Sequence, residues 1–551
     1  MAREKPRGRL ARNYRLTWVD DSGFTASVIN PPVSPARLAH LTVGGLAGTP
    51  VDAFVATVGQ CAGYTLSYPT KVEGMEFLVD RLNAGAALGG GVQWRSAENL
   101  RRLWADGHDP VRIVMDEAHR LGMDFWLQLR MNDWHHVDSE GKVYRLIGSD
   151  YYESHPELLI GAEGVAGWPE SLQESLAWFQ DFAHEKVRRI RLDTATEAIE
   201  RYDAEGWEYD FMRCPGLFRY GTERANAHLV TELIRDTRRT LDEVGRARGK
   251  TLGLSVRVPN TIAGATMLGL DVEEWIADHL VDIVVPSTFF AQDTEEDMRE
   301  WVKLAAGTPV LIHPAIEEGF ITGKRTGYGI PYYQVKSDPM QAMTVEMIRG
   351  LAARHHAAGV DGLYLFNYQG TWTTYGYDNS PALDDMASPL RLRFKDKRYV
   401  VMRRNGSFPN CFPQERQIPA ELGREPTEID IEIADDLADA GARLRSVHLK
   451  LLLVEPCHED RLEVRLNGGQ PLPIANPMAA GRAAPFERAW AVFDLTPVPP
   501  RVGVNRISVR VDRHPRLAKE LPLVLSDVEI DVAYRYPNGP WIPPPGFKPR
   551  T

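Results

Sequence analysis

Two carboxylates spaced two residues apart are the sequence feature best suited to catalysis. Glu208 and Asp210 stand in the run Gly-Trp-Glu-Tyr-Asp-Phe-Met-Arg at 206–213, where they alternate with aromatic residues as in a strand. Side chains alternate along a strand, so both carboxylates point to one face and can titrate as a pair. Asp210, nearer the strand end, is predicted to be a nucleophile or base. Glu208 sits deeper and is predicted to orient its neighbours.

A second carboxyl group is required opposite the first if a glycosidic bond is to be broken. One group protonates the leaving oxygen while the other attacks or activates water. The segment His-Pro-Ala-Ile-Glu-Glu at 313–318 supplies Glu317 just after an apolar run, and Glu317 is predicted to be the acid. Asp20, Asp21 and Asp133 also follow predicted strands and remain alternatives for that role.

Polar and aromatic residues at other strand ends are predicted to contact the substrate. Arg, Asn and Asp side chains hydrogen-bond sugar hydroxyls, and aromatic rings stack on the apolar faces of sugars. The predicted substrate-binding set is Trp18, Asp20, Asp21, Arg130, Asn132, Asp133, Glu208, Arg213, Arg257, His313, Asn367, Tyr368 and Trp372. Its three arginines also suit an acidic sugar, because a guanidinium matches a carboxylate or a sulfate.

Other reaction types find less support in the sequence. The run Asn-Asp-Trp-His-His-Val-Asp at 132–138 contains metal-ligand types, but no spacing typical of a metal site appears. We therefore predict no metal and no other cofactor. A Gly-x-Ser-x-Gly turn is also missing, which disfavours acyl transfer.

A repeated strand–helix pattern from about residue 14 to 370 must position these side chains. The predicted strands are 15–20, 53–58, 125–132, 207–213, 252–258, 283–288, 310–315 and 363–368. Strand–helix alternation predicts a parallel sheet, and eight strands are enough to close a barrel. Barrel enzymes hold their active sites at the carboxyl ends of the strands, where the polar residues gather here.

The alternation of side chains along each predicted strand also indicates which residues face the barrel axis. The residues predicted to face inward are Trp18, Asp20, Gln128, Arg130, Asn132, Glu208, Asp210, Ser255, Arg257, His313 and Asn367. In a barrel without a site, these positions would be apolar, because unpaired polar groups at the axis are costly.

After Pro389 the pattern changes to short runs of alternating apolar and polar residues, separated by turn residues, which indicates an antiparallel β-sandwich. The predicted α/β organisation is an N-terminal arm (1–13), a catalytic (β/α)8 TIM barrel (14–390), a small β-sandwich accessory domain (391–536) and a Pro-rich tail (537–551). The accessory domain could brace the barrel, contribute a loop to the cleft or hold a homo-oligomer together.

Composition narrows the choice of partners and compartment. The 551 residues carry a net charge of −11, which argues against a nucleic-acid partner. The sequence contains no stretch of about 18 apolar residues, the length that a membrane span requires, so no membrane partner is predicted. Four scattered cysteines fit a reducing compartment, so the sequence predicts a cytoplasmic protein. The predicted partner is the carbohydrate substrate.

Five segments carry a resemblance to known proteins: 15–23, 129–133, 206–213, 256–259 and 362–368. Their order resembles the bacterial barrel proteins often labelled family 10 glycosylhydrolase-like, over most of the chain. That resemblance implies a (β/α)8 barrel followed by a small β domain, and glycosidase-type activity. The strand around Asp210 also resembles chitinase-like barrels, with Glu205 in place of their first Asp. Met212 occupies the position of their acid, so substrate-assisted chemistry is not implied.

The leading hypothesis is therefore a glycoside hydrolase-like enzyme that uses Asp210 and Glu317 on an oligo- or polysaccharide. A second hypothesis is a lyase, epimerase or aldolase acting on a sugar acid in the same barrel. A third is a catalytically inactive glycan-binding protein. The polar residues could also form a buried network that only stabilises the barrel.

Overall fold

The computed structural model describes most of the chain. It covers residues 8–20, 29–59, 64–85, 91–138, 141–168, 173, 175–212, 215–288, 292–317, 319–321, 329–335, 338–366, 368, 380–401, 417–454, 456–457, 459–479, 488–514 and 522–535.

Nine parallel strands form the largest sheet. They are β1 (Leu16–Asp20), β2 (Val51–Thr57), β3 (Asp124–Arg130), β4 (Gly206–Asp210), β5 (Gly253–Pro259), β6 (Ile283–Ser287), β7 (Leu311–Ile312), β8 (Ala315–Ile316) and β9 (Leu363–Leu365). Their order in the sheet is β8-β9-β1-β2-β3-β4-β5-β6-β7. All eight predicted strand regions are represented, and the seventh is divided into β7 and β8.

The two edge strands of this sheet belong to one short segment, 311–316. His313 N donates a hydrogen bond to Val284 O on β6, and Tyr364 N on β9 donates to Pro314 O. Pro314 has no N–H to donate, which fits the interruption between β7 and β8. The same six residues therefore lie against both ends of the sheet, which curls round and resembles a TIM barrel.

Helices connect most of these strands. They include α1 (Pro35–Thr42), α2 (Gly91–Ala105), α3 (Pro110–Arg120), α4 (Glu185–Arg201), α5 (Glu223–Arg248), α6 (Ile262–Met267), α7 (Val272–Ala277), α8 (Arg299–Leu304), α9 (Val345–Ala358) and α10 (Ser380–Met386). Local sequence sets several of their ends. Asp109 caps α3 through Val111 N and Arg112 N, and Gly249 ends α5 with a φ of 68°.

The two faces of the curled sheet bury different side chains. Its interior holds an apolar cluster that includes Val19, Val55, Trp126 and Tyr364, whereas Trp18 belongs to the cluster on the helix side. The predicted inward orientation of Trp18 on the first strand is therefore wrong. Both faces of a barrel strand are buried, and β1 carries one polar residue on each alternation, Thr17 and Asp20, so polarity does not reveal its inward face.

Small residues on β4 and β5 make room for the largest side chain of the interior. A Cβ added at Gly206 would lie 2.4 Å from the Trp126 ring, and one added at Gly253 would lie 2.3 Å from it and 2.6 Å from Leu10. Trp126 Nε1 donates to Tyr14 Oη at 3.2 Å. Residues just before β1 thus help Trp126 to fill the end of the sheet opposite the strand carboxyl ends.

Replacing Gly253 by Ala is expected to lower the free energy of unfolding by about 1–3 kcal/mol, because the added methyl overpacks the Trp126 ring. Denaturant unfolding of the full-length protein measures this loss. Gly45→Ala is the matched control, since nothing lies within 4 Å of a Cβ added there. Equal stabilities for the two variants would contradict the close packing of Trp126 on β5.

A three-stranded antiparallel sheet follows β8, in a region that contains none of the predicted strands. It comprises Gly319–Ile321, Gly329–Val335 and Asp338–Ala342. The sequence signal is weak because the strands are short and lie close together along the chain. The sheet begins two residues after Glu317, so it lies next to the candidate acid in the chain.

The C-terminal region consists of separate antiparallel sheets. Its longer strands are β10 (Lys397–Val401), β11 (Thr427–Ile433), β12 (Leu444–Val454), β13 (Arg461–Leu466), β14 (Ile474–Ala479), β15 (Arg488–Asp494), β16 (Gly503–Arg513) and β17 (Val524–Tyr534). One sheet has the order β10-β17-β12-β15-β14 and the other β11-β16-β13. Side chains from both sheets share one hydrophobic cluster, to which Ile431, Leu449 and Val509 belong.

Within the residues described, no helix combines the length and the apolar character needed to span a bilayer.

Candidate active site

Three predicted site residues occupy neighbouring positions on consecutive strands. Arg130 on β3 pairs in register with Asp210 on β4, and Asp210 pairs with Arg257 on β5. All three side chains face the interior and are almost completely buried. Parallel strands bring their carboxyl ends to one edge of the sheet, so the predicted inward orientation on these strands places the charges together.

Arg257 forms the centre of this group. Its Nη1 lies 3.1 Å from both carboxylate oxygens of Asp210, and its Nη2 lies 3.1 Å from Glu317 Oε1. Nε donates to Ser287 Oγ at 3.0 Å, and the guanidinium carbon lies 3.4 Å from the centre of the Phe366 ring. One buried cation therefore joins the two carboxylates that the sequence predicts to be catalytic.

Backbone amides fix the two carboxylate-bearing residues. Met212 N donates to Asp210 Oδ1 at 2.8 Å, just beyond the end of β4. Glu317 N donates to the side-chain oxygen of Gln292 at 2.8 Å. Asp210 is fully buried and Glu317 is 1% exposed. The structure thus brings together two residues that lie far apart in the sequence.

Arg130 has a different carboxylate partner. Its Nη1 donates to Asp133 Oδ2 at 2.7 Å, and both side chains are buried. Asp133 Oδ1 also accepts from the backbone N of His135 at 2.8 Å and contacts His135 Nδ1. Asp133 therefore links the strand-end cluster to a half-exposed histidine.

Glu208 lies one layer below Asp210 and is enclosed by hydrogen-bond donors. Gln128 Nε2 donates to its Oε1 at 2.7 Å, Ser255 Oγ donates to its Oε2 at 2.7 Å, and the Tyr364 hydroxyl also donates to Oε1. Complete burial raises the pKa of Glu208 to about 7, although these donors oppose the rise. The nearby charge of Asp210 adds to it.

The raised pKa of Glu208 predicts a pH dependence of stability. The pKa of about 7 in the folded protein exceeds the ordinary 4.5, so the folded state binds more protons between these values. Stability contributed by this group is therefore complete below about pH 4.5 and falls as the pH rises towards 7, by up to on the order of 3 kcal/mol. Glu208→Gln removes this dependence, and Ser255 can then accept from the new amide.

Unfolding free energies of both proteins at several pH values test this expectation. The variant should gain stability relative to the unmodified chain as the pH is raised from about 5 to about 8. Parallel stability curves would show that Glu208 does not titrate in this range.

Two other predicted substrate-binding residues have their hydrogen-bond partners outside the group around Arg257. The amide of Asn132 is engaged by the backbone, donating to Gly216 O at 2.7 Å and to Gln180 O at 3.1 Å. His313 faces the interior but lies at the opposite end, where its Nε2 is 3.1 Å from Asn13 Oδ1. These positions do not place Asn132 or His313 in the cluster around Arg257.

Trp18, Tyr368 and Asp20, which are also predicted to bind substrate, lie on or next to the first and last strands of the predicted barrel. The Trp18 ring meets the Tyr368 ring edge-on, with centroids 5.8 Å apart, and both are buried on the helix side. Asp20 ends β1 and is 5% exposed. Asp21, Arg213, Asn367 and Trp372 lie outside the described residues.

The sequence reasoning missed several residues that contact the cluster. Tyr364 on β9 and Phe366 just after it face the interior, whereas Leu363 and Leu365 face the helices. The sequence predicts the opposite orientation for this strand. It assigns Asn367 to the inward face, and Asn367 lies on the same alternation as Leu363 and Leu365. Gln292 also carries no signal, since it lies in a connection after β6.

Side chains of the kinds that bind metals occur in and around the cluster, including Asp133, His135 and Glu317. In the described part of the chain, however, no group of three or more His, Cys, Asp or Glu side chains is placed to hold an ion.

Comparison with known proteins gives weak likenesses. No protein-family model matches the sequence, and no curated protein matches it. A family GH18 chitinase from Chromobacterium violaceum is 9% identical over 90% of this chain and 88% of its own, with a TM-score of 0.35. The PgaB glycoside hydrolase domain from Bordetella bronchiseptica is 10% identical over 68% and 99%, with a TM-score of 0.40.

A family 18 N-acetylglucosaminidase from Paenibacillus barengoltzii is 13% identical over 68% of this chain and all of its own, with a TM-score of 0.35. Identities and TM-scores this low assign no reaction to the present chain.

Proposed function

We propose that the protein is a glycoside hydrolase-like enzyme that cleaves a glycosidic bond in an oligo- or polysaccharide. The observation that supports this most is the meeting of Asp210 and Glu317 at one guanidinium, at the carboxyl ends of a curled parallel sheet. Glycosidic cleavage uses two carboxyl groups that flank the bond, and barrels place such groups at this end.

In this proposal Asp210 is the nucleophile or base. Both of its oxygens lie near Arg257 Nη1 and one accepts from Met212 N, so the carboxylate is oriented before substrate arrives. It either attacks the anomeric carbon or accepts a proton from the water that does so.

Glu317 supplies the proton in the same step. Its carboxylate must first leave the ion pair with Arg257 and take up a proton. That proton then passes to the glycosidic oxygen as the C–O bond breaks. Arg257 keeps its contacts with Asp210 while Glu317 changes partners.

The substrate-binding part of the proposal centres on Arg130 and Asp133, beside Asp210 on the next strand. In the described part of the cluster, both arginines already have carboxylate partners. The proposal therefore includes neutral as well as acidic sugars.

The division of the chain into domains is also part of the proposal. The curled sheet and its helices make a catalytic (β/α)8 barrel over residues 14–390, and the antiparallel sheets make a β-sandwich accessory domain over 391–536. Residues 1–13 and 537–551 are assigned to an arm and a tail.

The test is hydrolysis of a panel of aryl glycosides and of neutral and uronate-containing polysaccharides. The release of reducing ends measures the reaction. NMR of the first product then gives the anomer. Retention is expected for carboxyl groups about 5–5.5 Å apart in the complex, and inversion for about 6.5–9.5 Å. Unsaturated products without hydrolysis would contradict the proposal and favour a lyase.

A further inference from the structure

One connection after β6 links the candidate site with the C-terminal sheets. It comprises residues 292–297, which precede α8, and we refer to it as the bridge segment. Four of its six residues are buried. Its two ends make different sets of directional contacts, one to Glu317 and one to the C-terminal region.

At the site end, Gln292 holds the backbone on both sides of the candidate acid. Its side-chain oxygen accepts from Glu317 N at 2.8 Å, and its own backbone N donates to Gly319 O at 2.7 Å. The side-chain nitrogen of Gln292 donates to Glu296 Oε1 at 2.9 Å, which fixes the orientation of the amide. Gln292 is fully buried.

At the other end, the bridge segment is bonded to two strands of the C-terminal sheets. Thr294 Oγ1 donates to Val400 O on β10 at 2.8 Å. Arg354 on α9 joins the segment to β11, because its Nη2 lies 3.3 Å from Glu296 O and 3.1 Å from Glu432 Oε2. The Arg354 Nη1 also donates to Thr294 O.

Gln417 adds a second connection to the same strand. Its side-chain nitrogen donates to Glu295 and to Asp430 O, and its oxygen accepts from Asp430 N at 2.7 Å. The C-terminal region therefore holds the bridge segment directly through side-chain hydrogen bonds at residues 294 and 295. At residue 296 the link is indirect, because Arg354 of α9 contacts both Glu296 O and Glu432.

We propose that the C-terminal β region positions the candidate acid, Glu317, through the bridge segment. This inference rests on the proposed role of Glu317, and it makes Thr294, Gln292 and Glu432 positioning residues. The contacts end on the backbone N of Glu317 itself, which is bonded directly to the Cα that carries its side chain. Loosening the far end releases Gln292, and the carboxyl group then loses its fixed place beside Arg257.

The test compares hydrogen exchange in full-length variants. Thr294→Val removes the hydroxyl that donates to Val400 O while keeping the side-chain shape, and Thr294→Ser retains it. We expect exchange of the Glu317 amide to be at least about fivefold faster in Thr294→Val and unchanged in Thr294→Ser, because local opening exposes that N–H. Glu432→Gln, which weakens the Arg354 contact, should act in the same direction.

Arg349→Gln serves as the control. Arg349 contacts Asp385 and Asp396 O at the same junction but does not contact the bridge segment, so its variant should leave the Glu317 amide unchanged. If Thr294→Val or Glu432→Gln folds and its Glu317 amide exchanges within about twofold of the original rate, the inference is wrong.

Steady-state kinetics on a glycan that the protein hydrolyses provide the second readout. Misplacement of the acid should lower kcat about tenfold in Thr294→Val with little change in KM, and Thr294→Ser should restore it. Equal losses in Arg349→Gln would overturn the inference in favour of general stabilisation. Absence of any turnover by the unmodified protein would instead count against the proposed function, and the exchange result would still be measured independently.

Discussion

Asp210→Asn is expected to lower kcat/KM on the glycan substrate at least about a hundredfold, and Glu317→Gln is expected to do the same. The amide in Asp210→Asn can still accept from Met212 N, but it can neither attack an anomeric carbon nor take a proton from water. The amide in Glu317→Gln carries no transferable acidic proton. Initial rates at several substrate concentrations, on protein shown to be folded, measure both effects.

Each substitution also removes half of a buried charge arrangement, so a control for stability is necessary. Asp282→Asn is suitable, because Asp282 is a buried carboxylate paired with Arg238 at 3.0 Å and accepting from Leu254 N at the other end of the sheet. It should lose stability without losing catalytic activity. Activity within about tenfold of the original in both Asp210→Asn and Glu317→Gln would exclude this carboxylate pair.

A leaving-group series can separate the two roles. The acid assists departure of the glycosidic oxygen, so Glu317→Gln should lose least on aryl glycosides with acidic phenols, which need little protonation. Asp210→Asn should lose activity on all of them. If Asp210→Asn instead loses least on the acidic phenols and Glu317→Gln loses activity on all of them, Asp210 is the acid and Glu317 is the nucleophile or base.

The orientation of the central strands could be predicted because polarity differs between their faces. On β3, β4 and β5, residues such as Gln128, Glu208 and Arg257 alternate with large apolar residues that pack against helices. Burying this many polar groups costs free energy unless they hydrogen-bond with one another. The face that carries them on all three strands is therefore the one where they can meet, the interior. The structure confirms that orientation.

The first and last strands offered no such contrast. Trp18 and Val19 are both apolar, as are Tyr364 and Leu365, so either alternation satisfies burial on both faces. Long-range partners were also beyond the sequence, since nothing in it shows that Arg257 would contact both Asp210 and Glu317. The domain boundaries stay predictions.

Arg257→Leu is expected to lower the free energy of unfolding by about 3–5 kcal/mol, because it leaves two buried carboxylates without their shared cation. Removing one member of a buried ion pair costs more than the pair contributes, since the remaining charge has no solvent to stabilise it. Chemical denaturation near neutral pH measures the loss. A decrease below about 1 kcal/mol would mean that water reaches the carboxylates freely.

The cause of that loss can be identified by removing the charges as well. If electrostatics dominate, adding Asp210→Asn and Glu317→Gln to Arg257→Leu should restore most of the lost stability, because the two negative charges that Arg257 contacts are then removed as well. If the added substitutions do not restore stability, the loss comes from the packing of Arg257 on Phe366 and its bond to Ser287. The cluster would then be a structural network, and its charges would no longer support a catalytic site.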